Sequence, residues 1–325
     1  MDYAKGREFI YRNARPLDLA LWKFFFENGS KEDVMECLSF YQNEDGGFGH
    51  ALEDDVWNPA SIPIGTWKAT EIIARIGGVN RNHPVVLGIL RYLESKSGFD
   101  SKTEQWTYTI PSNNDYPHAI WWEHKDMPKE FNPNPNAALA GFIAAYGDKK
   151  SELYQFGLRM IRRSFDYMVD HCPIQDEHVI SCYISLYNYL LPLKESVIVE
   201  SIIADMETYR ECLCKMVDNM ICTDYEKWGK EYVSMPSTFI RSPESFLYKG
   251  REELVARECE NIQTGQLPDG SFLVPWSWWT DYKEYEIAIN WWKSEIITER
   301  FLFLKQFGFL KPKLICSLSD GSKYH

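Results

Sequence analysis

The sequence predicts an all-α fold assembled from consecutive helical hairpins. Two observations carry that expectation: segments of ordinary helix length recur along most of the chain with Gly, Pro and Asn between them, and no alternating strand pattern extends beyond a few residues. Helices that follow one another in pairs imply hairpins closed into a ring or stacked as a solenoid.

The first pair is Leu17 to Asn28 and Lys31 to Gln42, broken at Gly29-Ser30, where the Ser30 hydroxyl can cap the second helix. Asn43 to Ala60 is irregular. Ser61 precedes Pro63 at the start of a helix that runs through Trp67, Ile72 and Ile76 and stops at Gly77-Gly78. Pro84 to Lys96 follows, ending before Gly98. A long aromatic and proline-rich insert, at about 99–133, separates it from the helix Asn136 to Tyr146. Further helices are expected at Ser151–Asp170, Glu177–Leu191, Glu195–Met220, Arg251–Thr264 and Ile287–Phe307.

The chain has 325 residues, 45% hydrophobic and 25% charged, which is globular composition. With 35 Lys+Arg against 47 Asp+Glu, its net charge is −12. A surface that neutralises phosphates needs the opposite sign, so neither nucleic acid nor an anionic membrane is an expected partner. No apolar run reaches the ~18 residues of a membrane span, and the N-terminal residues lack a signal-peptide pattern. The eight cysteines (Cys37, Cys172, Cys182, Cys212, Cys214, Cys222, Cys259 and Cys316) form no C-x-x-C pair. A chain of this size needs no disulfide staples, so reduced thiols and a cytoplasmic location are expected.

One feature of the spacing repeats. Gln42-Asn43-Glu44-Asp45-Gly46-Gly47-Phe48 and Gln266-Leu267-Pro268-Asp269-Gly270-Ser271-Phe272 share Q-x-x-D-G-x-F, each after a predicted helix. The pattern describes a structured turn: glycine admits positive φ, aspartate bonds turn amides, the Gln amide satisfies a neighbouring helix end, and the aromatic packs on it.

In these residues the chain resembles the terpenoid cyclase/protein prenyltransferase superfamily, whose repeats carry a Gln-…-Gly-x-Trp/Phe turn between outer and inner helices. The stretch Gln42–Ile64 also resembles bacterial proteins labelled prenyltransferase-like. The resemblance implies one α/α toroid domain over residues 1–325, of about five to six helical hairpins, with catalytic groups at inner-helix N-termini around a central cavity. In class II terpene cyclases the acid is the third residue of a D-x-D-D motif; here Leu52-Glu53-Asp54-Asp55 lacks the first aspartate. The zinc-dependent relatives use an Asp and a Cys two apart and a distant His. Asp170-His171-Cys172 has the local spacing, but the only later histidines are His178 and His325, so no metal is expected.

Three clusters are candidates for chemistry. His50, Glu53, Asp54 and Asp55 crowd together after the first glycine turn. Neighbouring carboxylates raise one another's pKa and make a proton donor, with His50 to orient or reprotonate it; the same acids can instead cap a helix. In the insert, His118, Trp121 and Trp122 stand beside Glu123 and His124 and can wall a cavity or pack as a lid. After the second turn come Trp276, Trp278 and Trp279, with Trp228 and Tyr232 a weaker group; such rings stabilise a cation or stack on a sugar, or simply fill a core. The aromatic share, 15%, is why a lined cavity is expected. Phosphate-loop, dinucleotide, metalloprotease and serine-hydrolase motifs are missing, so no cofactor is expected.

The resemblance implies a terpenoid-cyclase-like enzyme that starts cyclisation or isomerisation of an apolar isoprenoid by protonation. The alternatives are a carbohydrate-active α/α-barrel enzyme (a hydrolase, lyase or epimerase) pairing Glu53 or Asp55 with Glu123 or Glu226, and a non-catalytic toroid that binds a small molecule. Oligomeric state stays open.

Overall fold

The computed structural model describes residues 1–125, 129–193 and 206–310. It is all-α, with 58% helix and 3% strand. The start of the expected Glu195–Met220 helix, Cys316 and His325 lie outside the described residues. Contacts divide the chain into two compact units, Ser39–Met220 and Met1–Leu38 with the chain from Ile221 onward.

The second of these units begins with a helix the sequence reading did not anticipate, α1 (Tyr3–Asn13), followed by α2 (Pro16–Phe26) and α3 (Lys31–Ser39). The Asp2 side chain caps α1 by accepting from the Lys5 amide. Gly6 costs helix propensity but is buried; a Cβ there would lie 3.1 Å from the Phe301 ring, so its smallness lets α1 pack closely. Tyr3, Trp22, Phe26 and Phe301 form one ring cluster, with Trp22 and Phe26 centroids 4.4 Å apart. Glu27 collects Arg7 Nε at 2.7 Å, Trp22 Nε1 at 2.8 Å and the Tyr11 hydroxyl.

In the Ser39–Met220 unit, α4 (Pro63–Arg75) and α5 (Pro84–Ser95) precede the insert. Then come α6 (Pro133–Tyr146), α7 (Glu152–His171), α8 (Glu177–Leu190) and α9 (Met206–Met220). Residues 137–144 of α6 are buried all round, and α6 packs most extensively on α8 and α7. Small residues permit this: a Cβ on Gly141 would sit 2.9 Å from Tyr189, and one on Gly157 of α7 2.7 Å from Ile143. The insert holds a two-residue antiparallel pair, β1 (Phe99–Asp100) and β2 (Gln105–Trp106), and two 3-10 turns, Pro111–Asp115 and Ile120–Trp122. Back in the other unit lie the short α10 (Pro236–Phe239), α11 (Glu252–Thr264) and α12 (Tyr285–Gln306).

Some boundaries differ from expectation. The Lys31 helix ends at Ser39, not Gln42, because Gln42 belongs to the turn that follows. The segment ahead of the expected Asn136 helix starts at Pro133, but Asn134 is non-helical (φ −92°, ψ 119°), so a kink precedes the continuous helix, which begins next to Asn136; the Asn132 side chain accepts from the Asn134 amide.

The two Q-x-x-D-G-x-F segments fold alike, bond for bond. Gln42 Nε2 donates to the Gly46 carbonyl and Gln266 Nε2 to the Gly270 carbonyl, both at 2.9 Å. Asp45 Oδ1 accepts from the Gly47 amide at 2.9 Å, and Asp269 Oδ1 from the Ser271 amide at 3.0 Å. Gly46 and Gly270 have φ of +94° and +91°. Phe48 and Phe272 are fully buried. Each glutamine then reaches the N-terminus of another helix: Gln42 to the Val85 carbonyl of α5, Gln266 to the backbone of Asp2, the cap of α1.

Candidate functional site

The acidic cluster sits on a tightly bonded loop between the first turn and α4. His50 and Ala51 adopt φ of +55° and +59°, and the His50 amide donates to the Asn58 carbonyl at 2.9 Å. That reversal turns the His50 ring outward, exposed, with Nε2 2.9 Å from Asn43 Oδ1. It turns the acids inward: Glu53 is 8% exposed, Asp54 0% and Asp55 3%. Asp54 is the most buried of the three. Lys68 Nζ, on α4, lies 3.8 Å from Glu53 Oε2.

This loop pairs with the insert. Ala119 N–H donates to the Asp55 carbonyl at 2.8 Å, Trp57 N–H to the Pro117 carbonyl at 2.9 Å, and Val56 bridges His118. Asn58 Nδ2 donates to Ser112 Oγ and Asn113 Oδ1 at 2.9 and 3.0 Å. Two clusters distant in sequence are therefore joined through backbone. His118 is buried, its Nδ1 donating to the Tyr116 carbonyl at 2.6 Å. Trp122 is buried under Tyr108, ring centroids 4.7 Å apart and planes 21° apart. Trp121 remains 36% exposed.

Beside this junction lies a cavity of about 210 Å³. Tyr108, Thr109, Trp121, Glu123, His124 and Asn134 line it, together with Gln105, Trp106, Thr107, Lys125 and Asn132. Most of these side chains carry hydrogen-bonding groups. The His124 segment is clamped: its amide donates to Asn114 Oδ1 at 2.7 Å, its carbonyl accepts from Asn114 Nδ2 at 2.9 Å, and Nδ1 bonds Thr109 Oγ1 at 3.0 Å. Glu123 and Lys125 pair at 3.2 Å. Burial, then the negative field of Glu53 and Asp176, pushes the Tyr108 phenol well above its ordinary range, and Asn134 hydrogen bonds it. The indole N–H groups of Trp106 and Trp122 are buried with no acceptor among the described residues.

The remaining sequence candidates belong to the other compact unit and do different jobs there. Trp228 is 1% exposed, with Nε1 donating to the Cys222 carbonyl at 2.9 Å. Trp278 is fully buried against Tyr285. Trp276 is half-buried between Tyr232 and Trp292, at 5.8 and 5.0 Å. Tyr232 and Trp279 are exposed, Trp279 at φ +56°. Two of these five rings are core, and Trp276 and Trp278 do not share one environment.

Sequence reasoning missed Tyr108, Thr109 and Asn134. The alternation Asn132-Pro133-Asn134-Pro135-Asn136 was the available signal: amides locked between prolines present polar groups in fixed places. It also missed Glu258, fully buried on α11, which accepts from the Ser237 amide at 2.7 Å and the Ser237 hydroxyl at 2.5 Å. Burial raises its carboxyl to about 7, against the hydrogen bonds from Ser237 and the nearby Arg300. Among the described residues no three His, Cys, Asp or Glu side chains are grouped to hold a metal ion, and no helix is long and apolar enough to cross a membrane.

No family model, curated protein or solved structure matches this chain.

Proposed function

We propose that the cavity beside Trp121 binds a small neutral carbohydrate, and that the chain is a carbohydrate-active protein on an α/α scaffold. The observation that carries this reading is the lining: an accessible tryptophan face surrounded by amide, hydroxyl and imidazole groups. A sugar offers an apolar C–H face to a ring and hydroxyls to fixed donors and acceptors. A polyene would leave those polar groups desolvated without partners, at about 1–3 kcal/mol each. Glu123 and His124 supply the carboxylate and imidazole of the lining, the side-chain types that carry acid–base work in such sites.

The fully buried Asp54 favours the second reading, an acid that starts isoprenoid cyclisation. Calorimetric titration of the full chain with mono- and oligosaccharides, and separately with polyprenols and their diphosphates, discriminates the two; mass spectrometry of the mixtures reads turnover. Saturable sugar binding abolished by Trp121→Ala supports the proposal. Binding of polyprenols alone, unaffected by Trp121→Ala but lost in Asp54→Asn, overturns it in favour of the second reading.

A further inference from the structure

Outside that cavity, two cysteines lie against one another. Cys172 follows the C-terminus of α7, and Cys212 lies on α9, in the same compact unit. The Cys172 thiol donates to the Cys212 carbonyl oxygen at 3.9 Å, and the two thiols are close enough to interact electrostatically. Neither is in a disulfide. Cys172 is half-buried and reachable, whereas Cys212 is 7% exposed. Burial first, and then the Cys172 thiol, pushes the Cys212 thiol up to about 12, while Lys215 pulls it down.

This arrangement assigns different parts to the two sulfurs. We propose that Cys172 and Cys212 form a redox-modification site, which a small disulfide of the glutathione class oxidises to an intramolecular disulfide. Cys172, the accessible thiol, loses its proton and attacks one sulfur of the small disulfide; a mixed disulfide forms and one small thiolate leaves. Cys212 then loses its proton and attacks Cys172 Sγ. The Cys172–Cys212 bond forms, the bond to the small thiol breaks, and a second small thiolate departs. Two protein thiols are oxidised, one small disulfide is reduced to two thiols, and the two protons pass to the departing thiolates. The second step is the slower one, because the resolving thiol is buried. The product ties the end of α7 to α9 and closes a chain loop that includes α8. It therefore constrains the unfolded chain and raises thermal stability.

The test uses the full-length protein incubated with oxidised glutathione under native conditions, quenched with an alkylating agent, digested and analysed by mass spectrometry, with thermal unfolding in parallel. A Cys172–Cys212 linked peptide, and an unfolding temperature raised by about 5 °C that dithiothreitol reverses, are expected. Cys212→Ser should stop at a glutathionyl adduct on Cys172, without the rise. Cys172→Ser should show neither the linked peptide nor the rise. Wild-type protein that accumulates only the mixed disulfide, that stays fully reduced, or whose temperature shift persists in Cys172→Ser overturns the proposal.

Discussion

The Ala119 amide and the Asp55 carbonyl meet at 2.8 Å, and with that bond the aromatic insert is fastened to the acidic loop. Ala119 has φ −73° and ψ 153°, which proline also adopts. Ala119→Pro therefore deletes the donor with little change in the preferred backbone geometry and leaves the Asp55 carbonyl unmet. A loss of about 1–3 kcal/mol in urea unfolding is expected, accompanied by weaker ligand binding at the cavity. Unchanged stability would mean that the bond does not hold the two segments together.

Trp121 and Trp122 are adjacent in sequence and opposite in role. Trp122→Ala removes a buried ring stacked on Tyr108 and should cost about 3–5 kcal/mol of stability. Trp121→Ala removes a partly exposed ring and should leave stability within about 0.5 kcal/mol while reducing carbohydrate affinity at least tenfold. Thermal denaturation and calorimetry on the same two preparations separate the effects.

The repeated turns demand glycine. A Cβ on Gly46 would collide with the Gly88 carbonyl and one on Gly270 with the Lys5 carbonyl, and both residues sit at positive φ. Gly46→Ala and Gly270→Ala should each destabilise by more than about 2 kcal/mol. Gly250, also at positive φ but with nothing within 4 Å among the described residues, is the control: Gly250→Ala should cost only about 1 kcal/mol. Equal losses at all three positions would remove the steric part of the argument.

Glu258 links stability to pH. Its carboxyl is raised from 4.5 to about 7 by burial, so the folded state holds the proton more tightly than the unfolded chain. The corresponding stabilisation is complete below about 4.5 and is lost as pH rises through about 7. The full difference is on the order of 3 kcal/mol at 1.36 kcal/mol per pH unit. Glu258→Gln keeps an acceptor for Ser237 and cannot ionise, so its advantage over the parent should grow between pH 5 and pH 8. A pH-independent difference between the two proteins would count against the raised carboxyl.

Much of the fold was legible because its signals are local. Pro63, Pro84 and Gly77-Gly78 mark helix ends through their own backbone preferences. The turn repeat was readable for the same reason, since every bond from Gln42 to Gly46 and from Asp45 to Gly47 lies within a few residues. Helix α1 escaped because Gly6 reads as a weak helix position until Phe301, far along the chain, packs on it.

The site was legible only as two separate clusters. Density of charge pointed to His50 through Asp55, but which members face inward depends on the positive φ at His50 and Ala51, residues for which sequence carries no such rule. Tyr108 and Asn134 join the cavity through contacts with Trp122 and with Tyr108 itself, inside an insert with no periodicity to read.

The central claim, that the polar cavity beside Trp121 takes a neutral sugar, is met most directly by the indole resonances of the protein. In proton–nitrogen correlation spectra with tryptophan signals assigned by single substitution, titration with a binding mono- or disaccharide should shift Trp121 and Trp106, which line the cavity, and leave the distant-in-sequence core ring Trp278 unmoved. Saturable shifts of Trp121 with polyprenols and none with any sugar would contradict the account.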